Sequence, residues 1–400
     1  MIVRCFLLCV VLAVPSLARA QGFEDLFNTA ALQRIDLLLN SRDWEKLKAN
    51  FQENEYYPAD IRWNSLTVRN AGIRSRGLGS RSGTKPGLRV DFNRYSTGQT
   101  FLGLGSMVLD NLTQDPSGLR ERVAMRFYER MGLPAPREAH AALYVNSEYA
   151  GLYAVVESID KDFLRRVFGG TEGNIENDGH LFEYEYETEW FFTYPGNNLD
   201  VYVPLFDPVT HKNASAAELY APLEAMFRAI NESSDAVFVE TVSAYVDLPL
   251  FMKHVAVQSF LAQWDGILGY AGVNNFYLYR FENSSRSQFI AWDEDNAFRA
   301  ADFPILEGHD RNVLMRRAMS VPGLRAAYFD ALRDAAASAA ESTGGVSWLE
   351  QEIQQQRGIV DAAMRADALK PYPNEEYAAA ADALVEFARV RPAFVRSQIP

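Results

Sequence analysis

The chain is 400 residues long, 48% apolar and 12% aromatic, with a formal net charge of −13. That acidic balance lacks the positive footprint that holds phosphate backbones, so nucleic acid is excluded as an expected partner. Both cysteines, Cys5 and Cys9, fall in the first ten residues. The remainder therefore has no disulfide, thiolate metal site or cysteine nucleophile, and its length allows a large core without staples.

Residues 1–20 read as a signal peptide. Arg4 supplies the positive end, residues 5–14 an apolar run, and Ala18-Arg19-Ala20 a small-x-small cleavage site before Gln21. The run is shorter than the roughly 20 apolar residues of a membrane span, and no later stretch comes close. The expectation is an exported protein, periplasmic or secreted, with no membrane span after signal removal. Without Arg4 and Arg19 its formal charge falls from −13 to −15, which favours solubility. A monomer is expected.

Residues 66–76 have a strand pattern and run into Gly77-Leu78-Gly79-Ser80-Arg81-Ser82-Gly83, too rich in glycine for regular structure. Residues 88–92 alternate apolar and polar, the period of a half-buried strand. Asp115-Pro116-Ser117 offers a cap for a helix whose Leu119, Val123, Phe127 and Met131 share one face, with Gly132 and Pro134 as its stop. Two strands, 141–145 and 149–156, flank a tight turn at Asn146-Ser147. A short helix is expected over 160–168. Residues 171–210 interleave aromatics with glutamates and are compatible with strands or with an acidic aromatic surface. Helices dominate after Ser215. One starting near Pro249 is apolar on most sides, hence buried, and leads into Trp264-Asp265-Gly266. A hairpin over 275–281 and 288–292 then delivers Asp293-Glu294-Asp295. Amphipathic, alanine-rich helices complete the chain.

This order of strand, glycine-rich loop, strand, helix, hairpin, buried helix, Asp-containing loop, hairpin and paired carboxylates is the layout of protein kinases. Phosphoryl transfer needs donors over the phosphates, a carboxylate for the acceptor's proton and oxygen ligands for Mg²⁺. Asp265 stands where the first carboxylate belongs. Asn274 or Asn275, with Asp293 and Asp295, offers the metal ligands. There is no His-Arg-Asp or Asp-Phe-Gly triplet, and the Asp-to-Asn spacing of nine or ten residues exceeds the five of ordinary kinases.

Several segments resemble the spore-coat CotH kinase family. They are Arg74-Ser75-Arg76-Gly77, Lys85-Pro86-Gly87-Leu88-Arg89, Asp115-Pro116-Ser117-Gly118-Leu119-Arg120 and Gly132-Leu133-Pro134-Ala135-Pro136-Arg137. Leu143 to Tyr153, Val156-Glu157, Trp264-Asp265, Asn275 to Tyr279 and Ala291-Trp292-Asp293-Glu294-Asp295 continue the pattern. The resemblance covers roughly residues 66–298. It implies an α+β, bilobed, atypical protein-kinase-like fold. A β-rich N-lobe would span 21–158, and a mainly helical C-lobe, with a hairpin carrying the metal loop, would span 159–400. The implied activity is transfer of the ATP γ-phosphoryl group to Ser or Thr of an exported or cell-envelope protein, with Mg²⁺ or Mn²⁺. Carried over by position, Asp265 is the catalytic residue and Asn275, Asp293 and Asp295 are the metal ligands. Arg76, Gly77, Gly79, Lys85, Arg89 and Glu157 are the nucleotide-binding candidates. Glu121, on the first helix, is placed to pair with a phosphate-binding cation. Two departures stand out. Asp91 occupies a strand position where a lysine is common in the family, and Ala291 replaces a customary proline.

Competing readings differ by residue. Asp293 and Asp295 are also fit to cap a helix, Asp265 to form a turn, and Arg76, Lys85 and Arg89 to lie on a salt-bridged strand face. The five histidines show no ligand spacing. The rival function is a non-catalytic envelope or surface-binding scaffold on the same fold.

Overall fold

A computed structural model describes residues 21–170 and 176–400; the expected signal peptide lies outside the described residues. The first elements are α1 (Phe23–Leu26), β1 (Gln33–Leu39), α2 (Ser41–Ala49), β2 (Tyr57–Trp63), β3 (Leu66–Ser75), β4 (Leu88–Asp91), β5 (Ser106–Asp110), α3 (Arg120–Arg130), β6 (Glu138–Val145) and β7 (Glu148–Glu157). They are followed by α4 (Lys161–Phe168), β8 (His180–Tyr184), β9 (Phe206–Pro208), α5 (Ala216–Glu232), α6 (Phe238–Ser243), α7 (Leu248–Phe260), β10 (Phe276–Arg280) and β11 (Ser287–Ala291). Helices α8 (Val313–Ser320) and α9 (Pro322–Ala340), a short hairpin of β12 (Ser342–Thr343) and β13 (Val346–Ser347), and helices α10 (Trp348–Ala366) and α11 (Asn374–Gln398) complete a mixed α+β chain. Among the described residues no helix is long and apolar enough to cross a membrane.

Strands β1 to β7 close into a barrel in the order β1-β2-β3-β4-β5-β7-β6, sealed by the parallel pair β1–β6. Period-two alternation makes this possible. On β2, Tyr57, Ala59, Ile61 and Trp63 are buried between more exposed neighbours, and on β4 Leu88 and Val90 do the same. These side chains meet Ile35, Leu37, Ile73, Leu109, Tyr153 and Val155 in the barrel interior. Closure also removes free strand edges. The β6–β7 turn is as expected: Asn146 and Ser147 both have positive φ, 50° and 73°, as a two-residue hairpin of matching twist requires.

Strands β1, β2 and β5 were not among the expected elements. Pro58 interrupts the donor pattern of β2. All but the last residue of β5 are buried, so it shows no alternation to read. In the aromatic-acidic region the strand expectation holds, and the aromatic-surface alternative does not, because the aromatics pack inward. Strands β8 and β9 extend the β10–β11 hairpin into a four-stranded sheet, while Trp190 and Phe192 are buried against Phe227.

A second core joins α3 to α7, α9, α10 and α11 and to the outer faces of β5 and β7. Helix α3 begins after an Asp115 carboxylate that accepts from the backbone N–H groups of Ser117, Leu119 and Arg120. Helix α7 is capped by Asp247 and, as expected, is buried on most sides.

The C-terminal helices are tied to the barrel by a buried ion pair. The Lys85 ammonium donates to Asp367 at 2.7 Å and to the Leu152 carbonyl at 2.8 Å, and both charged side chains are at most 2% exposed. Asp367 also accepts from the backbone N–H groups of Leu152, Leu369 and Lys370. Gly151 is needed opposite: its φ is +116°, and a Cβ there would meet the Asp367 carboxylate at 2.5 Å. Burial alone would drive the Lys85 proton off, and Asp367 opposes that. Removing one partner from such a pair leaves an uncompensated buried charge. Asp367→Ala is therefore expected to lower the unfolding free energy in urea by about 3–5 kcal/mol. Lys85→Met strands the Asp367 carboxylate instead, but that group keeps its three backbone N–H donors, so the loss should be of the same sign and somewhat smaller.

Candidate active site

A cleft of about 890 Å³ opens between the barrel and the β8–β11 sheet. Its barrel wall carries Arg76, Gly77, Gly79 and Arg89, and its opposite wall carries Asp265, Asn275, Asp293 and Asp295. The glycine-rich loop thus faces the three carboxylates and the asparagine. At Gly77 the need for glycine is conformational: its φ is +108°.

Asp265 lies five residues past α7. Its carboxylate accepts from the Asn274 and Asn275 side-chain amides at 3.3 and 3.4 Å, and Asn275 also donates to the Asp265 carbonyl at 3.0 Å. Both asparagines therefore fix the loop that carries Asp265. Asn275 has φ +57° and Asp293 φ +53°, a region that asparagine and aspartate enter more readily than most residues. Desolvation pushes the Asp265 carboxyl above its usual range, while the two amides hold it down.

Asp293 follows β11 by two residues. Burial first, and then the Asp110 charge, raise its carboxyl to about 6, against the opposing pull of Arg76. Burial and Asp293 push Asp295 well above the ordinary range. Glu121 on α3 is raised by burial and then by Glu138, so its field partner is a second acid rather than a cation. Like charges collected in a low-dielectric wall call for counter-charge.

Oxygen ligands of this kind suit Mg²⁺ or Mn²⁺. Among the described residues no three His, Cys, Asp or Glu side chains come together as a group that could hold a metal ion, so a cation here would need waters or ligand oxygens beside one or two carboxylates. Cations line the other wall. Arg76 is 3.7 Å from Asp110, and although burial works against its charge, Asp110, Asp293 and Glu183 outweigh burial and strengthen it. Arg89 has no ion pair among the described residues. Among the described residues Arg74 and Arg81, also in the cleft lining, hydrogen-bond to Asn54 and to backbone carbonyls and to no carboxylate.

Two expected nucleotide contacts lie away from this cleft. Lys85 is committed to Asp367. The Glu157 carboxylate accepts from the Arg137 N–H and forms an ion pair with Arg166 at 2.5 Å; the neighbouring residues in the lining are Ser158 and Ile159.

The sequence reading missed Asp110, Arg74, Arg81 and Glu183, and it missed the residue that aims the acidic loop. Glu294 is fully buried. It accepts from Tyr128 at 3.0 Å, Gln258 at 3.2 Å and Gln263 at 3.0 Å. No local period could have found it, because β11 ends at Ala291 and Asp293 has a left-handed backbone, so the inward turn of Glu294 comes from its partners on α3, α7 and the loop after α7.

The raised Asp293 carboxyl has a definite linkage sign. Between about pH 4 and 6 the native state holds a proton that the unfolded chain has released, so this group's contribution to stability falls as pH rises. Asp293→Asn is expected to stabilise the metal-free protein by about 1–2 kcal/mol at pH 7.5, with the gain vanishing below about pH 4. Urea denaturation at both pH values measures it.

Residues 73–395 match the model of a family described as CotH kinase protein. The chain is 22% identical over 380 residues to the inner spore coat protein H of Bacillus subtilis (strain 168), covering 93% of this chain and 99% of that protein. It is 24% identical over 196 residues to the invasin CotH3 of Rhizopus delemar, covering 48% of this chain and 31% of that protein. The family match spans most of the chain, and the protein belongs to the CotH kinase family.

Proposed function

We propose that this protein is an atypical kinase that transfers the γ-phosphoryl group of ATP to Ser or Thr hydroxyls of an exported or cell-envelope protein. The observation that carries the reading is the meeting of Asp265, Asn275, Asp293 and Asp295 with the Gly77–Gly79 backbone, Arg76 and Arg89 around one cleft. In this reading the barrel is the nucleotide-covering lobe, the helical remainder is the acceptor lobe, and the β10–β11 hairpin carries the metal loop.

Each part then has a chemical task. Val108, Ile159, Tyr184 and Phe276 offer an apolar wall for a flat base. Arg76 and Arg89, with the glycine-loop N–H groups, hold the phosphates. Asn275, Asp293 and Asp295 would hold Mg²⁺ or Mn²⁺, which neutralises charge developing on the phosphoryl oxygens when bound. Asp265 takes the proton of the acceptor hydroxyl as its oxygen bonds to the γ-phosphorus and the bond to the β-phosphate oxygen breaks. ADP leaves with that electron pair. Burial favours the proton-accepting role, because a carboxyl raised toward neutrality is a stronger base.

One observation favours the rival scaffold reading. The lysine nearest the glycine loop is spent on Asp367, so the phosphates would rely on arginines alone. Calorimetry separates the two readings. Wild type should bind ATP in the presence of Mg²⁺ or Mn²⁺, and Asp293→Ala should abolish that binding. No binding by folded wild type with either metal would establish the scaffold.

Asp265→Asn should retain nucleotide binding while phosphate incorporation falls by about 10²–10⁴-fold. Because protons compete with the metal for Asp293, metal-dependent nucleotide affinity is expected to drop as pH falls through about 6. A titration series from pH 5 to 8 checks this.

A further inference from the structure

Beside the cleft lies a second, smaller cavity of about 240 Å³ that the phosphoryl-transfer chemistry does not use. Ser259, Trp264, Leu268, Tyr270 and Phe303 form most of its wall. Its position is specific. Trp264 directly precedes Asp265, and Tyr270 lines both this cavity and the cleft. The Trp264 and Tyr270 rings stack with centroids 4.4 Å apart on the wall of this cavity. The floor includes Gln258 and Gln263, whose amides hold Glu294, so the cavity is built on the frame that fixes the acidic loop.

The rim has its own charge. The Arg299 guanidinium lies 4.1 Å over the Trp264 ring and has no ion pair among the described residues. Arg311, on the same rim, is paired with Glu307 at 3.3 Å. In a chain of net charge −13, an exposed, unpaired arginine at an apolar opening is a site of local complementarity to an acid. The mouth is apolar as well, since Tyr270 is 57% exposed.

We propose that this cavity is the specificity subsite of the acceptor polypeptide. It takes one aromatic or branched aliphatic side chain close in sequence to the phosphorylated Ser or Thr, with an adjacent acidic residue held by Arg299. The cavity volume suits one large side chain. Consecutive residues of an extended chain advance about 3.3–3.6 Å, so a side chain seated against Trp264 belongs within about three residues of a hydroxyl at Asp265. The inference rests on the kinase reading for its acceptor, and it adds which segments that acceptor must contain.

The test uses the mature protein and fluorescently labelled nonapeptides with one central serine. A Phe-Asp pair is walked through the three positions on either side, and binding is read by anisotropy, independently of catalysis. One register is expected to bind best. There, Phe→Ala should weaken binding about tenfold or more, and Asp→Lys should weaken it as well. Arg299→Glu, at an exposed position, should invert the preference between Asp and Lys. Equal affinity in every register, no binding in any, or an Asp preference that survives Arg299→Glu would each overturn the proposal. The same peptides with labelled ATP keep the two readings apart. Register-specific binding without phosphate incorporation defeats the kinase reading and leaves the docking site. Phosphate incorporation indifferent to register defeats the subsite and leaves the kinase.

Discussion

Glu294 is a carboxylate without solvent, held by Tyr128 of α3, Gln258 of α7 and Gln263 of the following loop. Burial raises its carboxyl to about 7 against the pull of those three donors. The two glutamines do more than satisfy it. Gln263 accepts the Asp265 N–H at 3.0 Å and Gln258 accepts the Ile267 N–H at 3.1 Å. One network therefore sets the loop bearing Asp265 and the loop bearing Asp293 and Asp295. A buried polar network of this kind fixes geometry because any alternative leaves a donor or the acid unsatisfied. Outward aim of the cleft carboxylates follows from inward anchoring of the residue between them.

The helices after α7 complete that frame from below. Arg391 of α11 is fully buried and donates to the carbonyls of Ser259, Phe260, Ala301 and Phe303. Two of these end α7, just before the Asp265 loop, and two follow the acidic loop. Five guanidinium donors in a rigid fork suit this task better than an ammonium would. Asp367, meanwhile, fastens the segment between α10 and α11 to the barrel through Lys85. The C-terminal third is thus part of the machinery that positions the cleft walls, rather than an appendage. The Tyr372 hydroxyl, which donates to the Thr113 carbonyl, adds a further tie.

The charge distribution within the cleft has a consistent logic. Arg74, Arg76, Arg81 and Arg89 line the barrel side together with Asp91, and Asp265, Asp293 and Asp295 line the other, yet the arginines and these three aspartates are not joined in close ion pairs among the described residues. Under the kinase reading, that separation is what a polyanion and its cation would require.

Much of the site was readable in the sequence because local rules govern it. Glycines at 77 and 79, the Asn146-Ser147 turn, the apolar α7 and the alternating β10–β11 hairpin each follow from backbone freedom or periodicity, and these elements deliver Asp265, Asn275, Asp293 and Asp295. Barrel closure was not readable, since pairing β1 with β6 joins residues about a hundred positions apart and no local period encodes it. The fates of Lys85 and Glu157 were likewise decided by distant partners. Nothing near Lys85 announces Asp367, 282 residues away, and nothing near Glu157 shows that its carboxylate is taken by Arg166 rather than turned to the cleft. The sequence by itself determined which groups stand at loop tips and strand ends. Only tertiary packing decided which of them face the cleft, because a buried charge goes where a partner from elsewhere in the chain can compensate it.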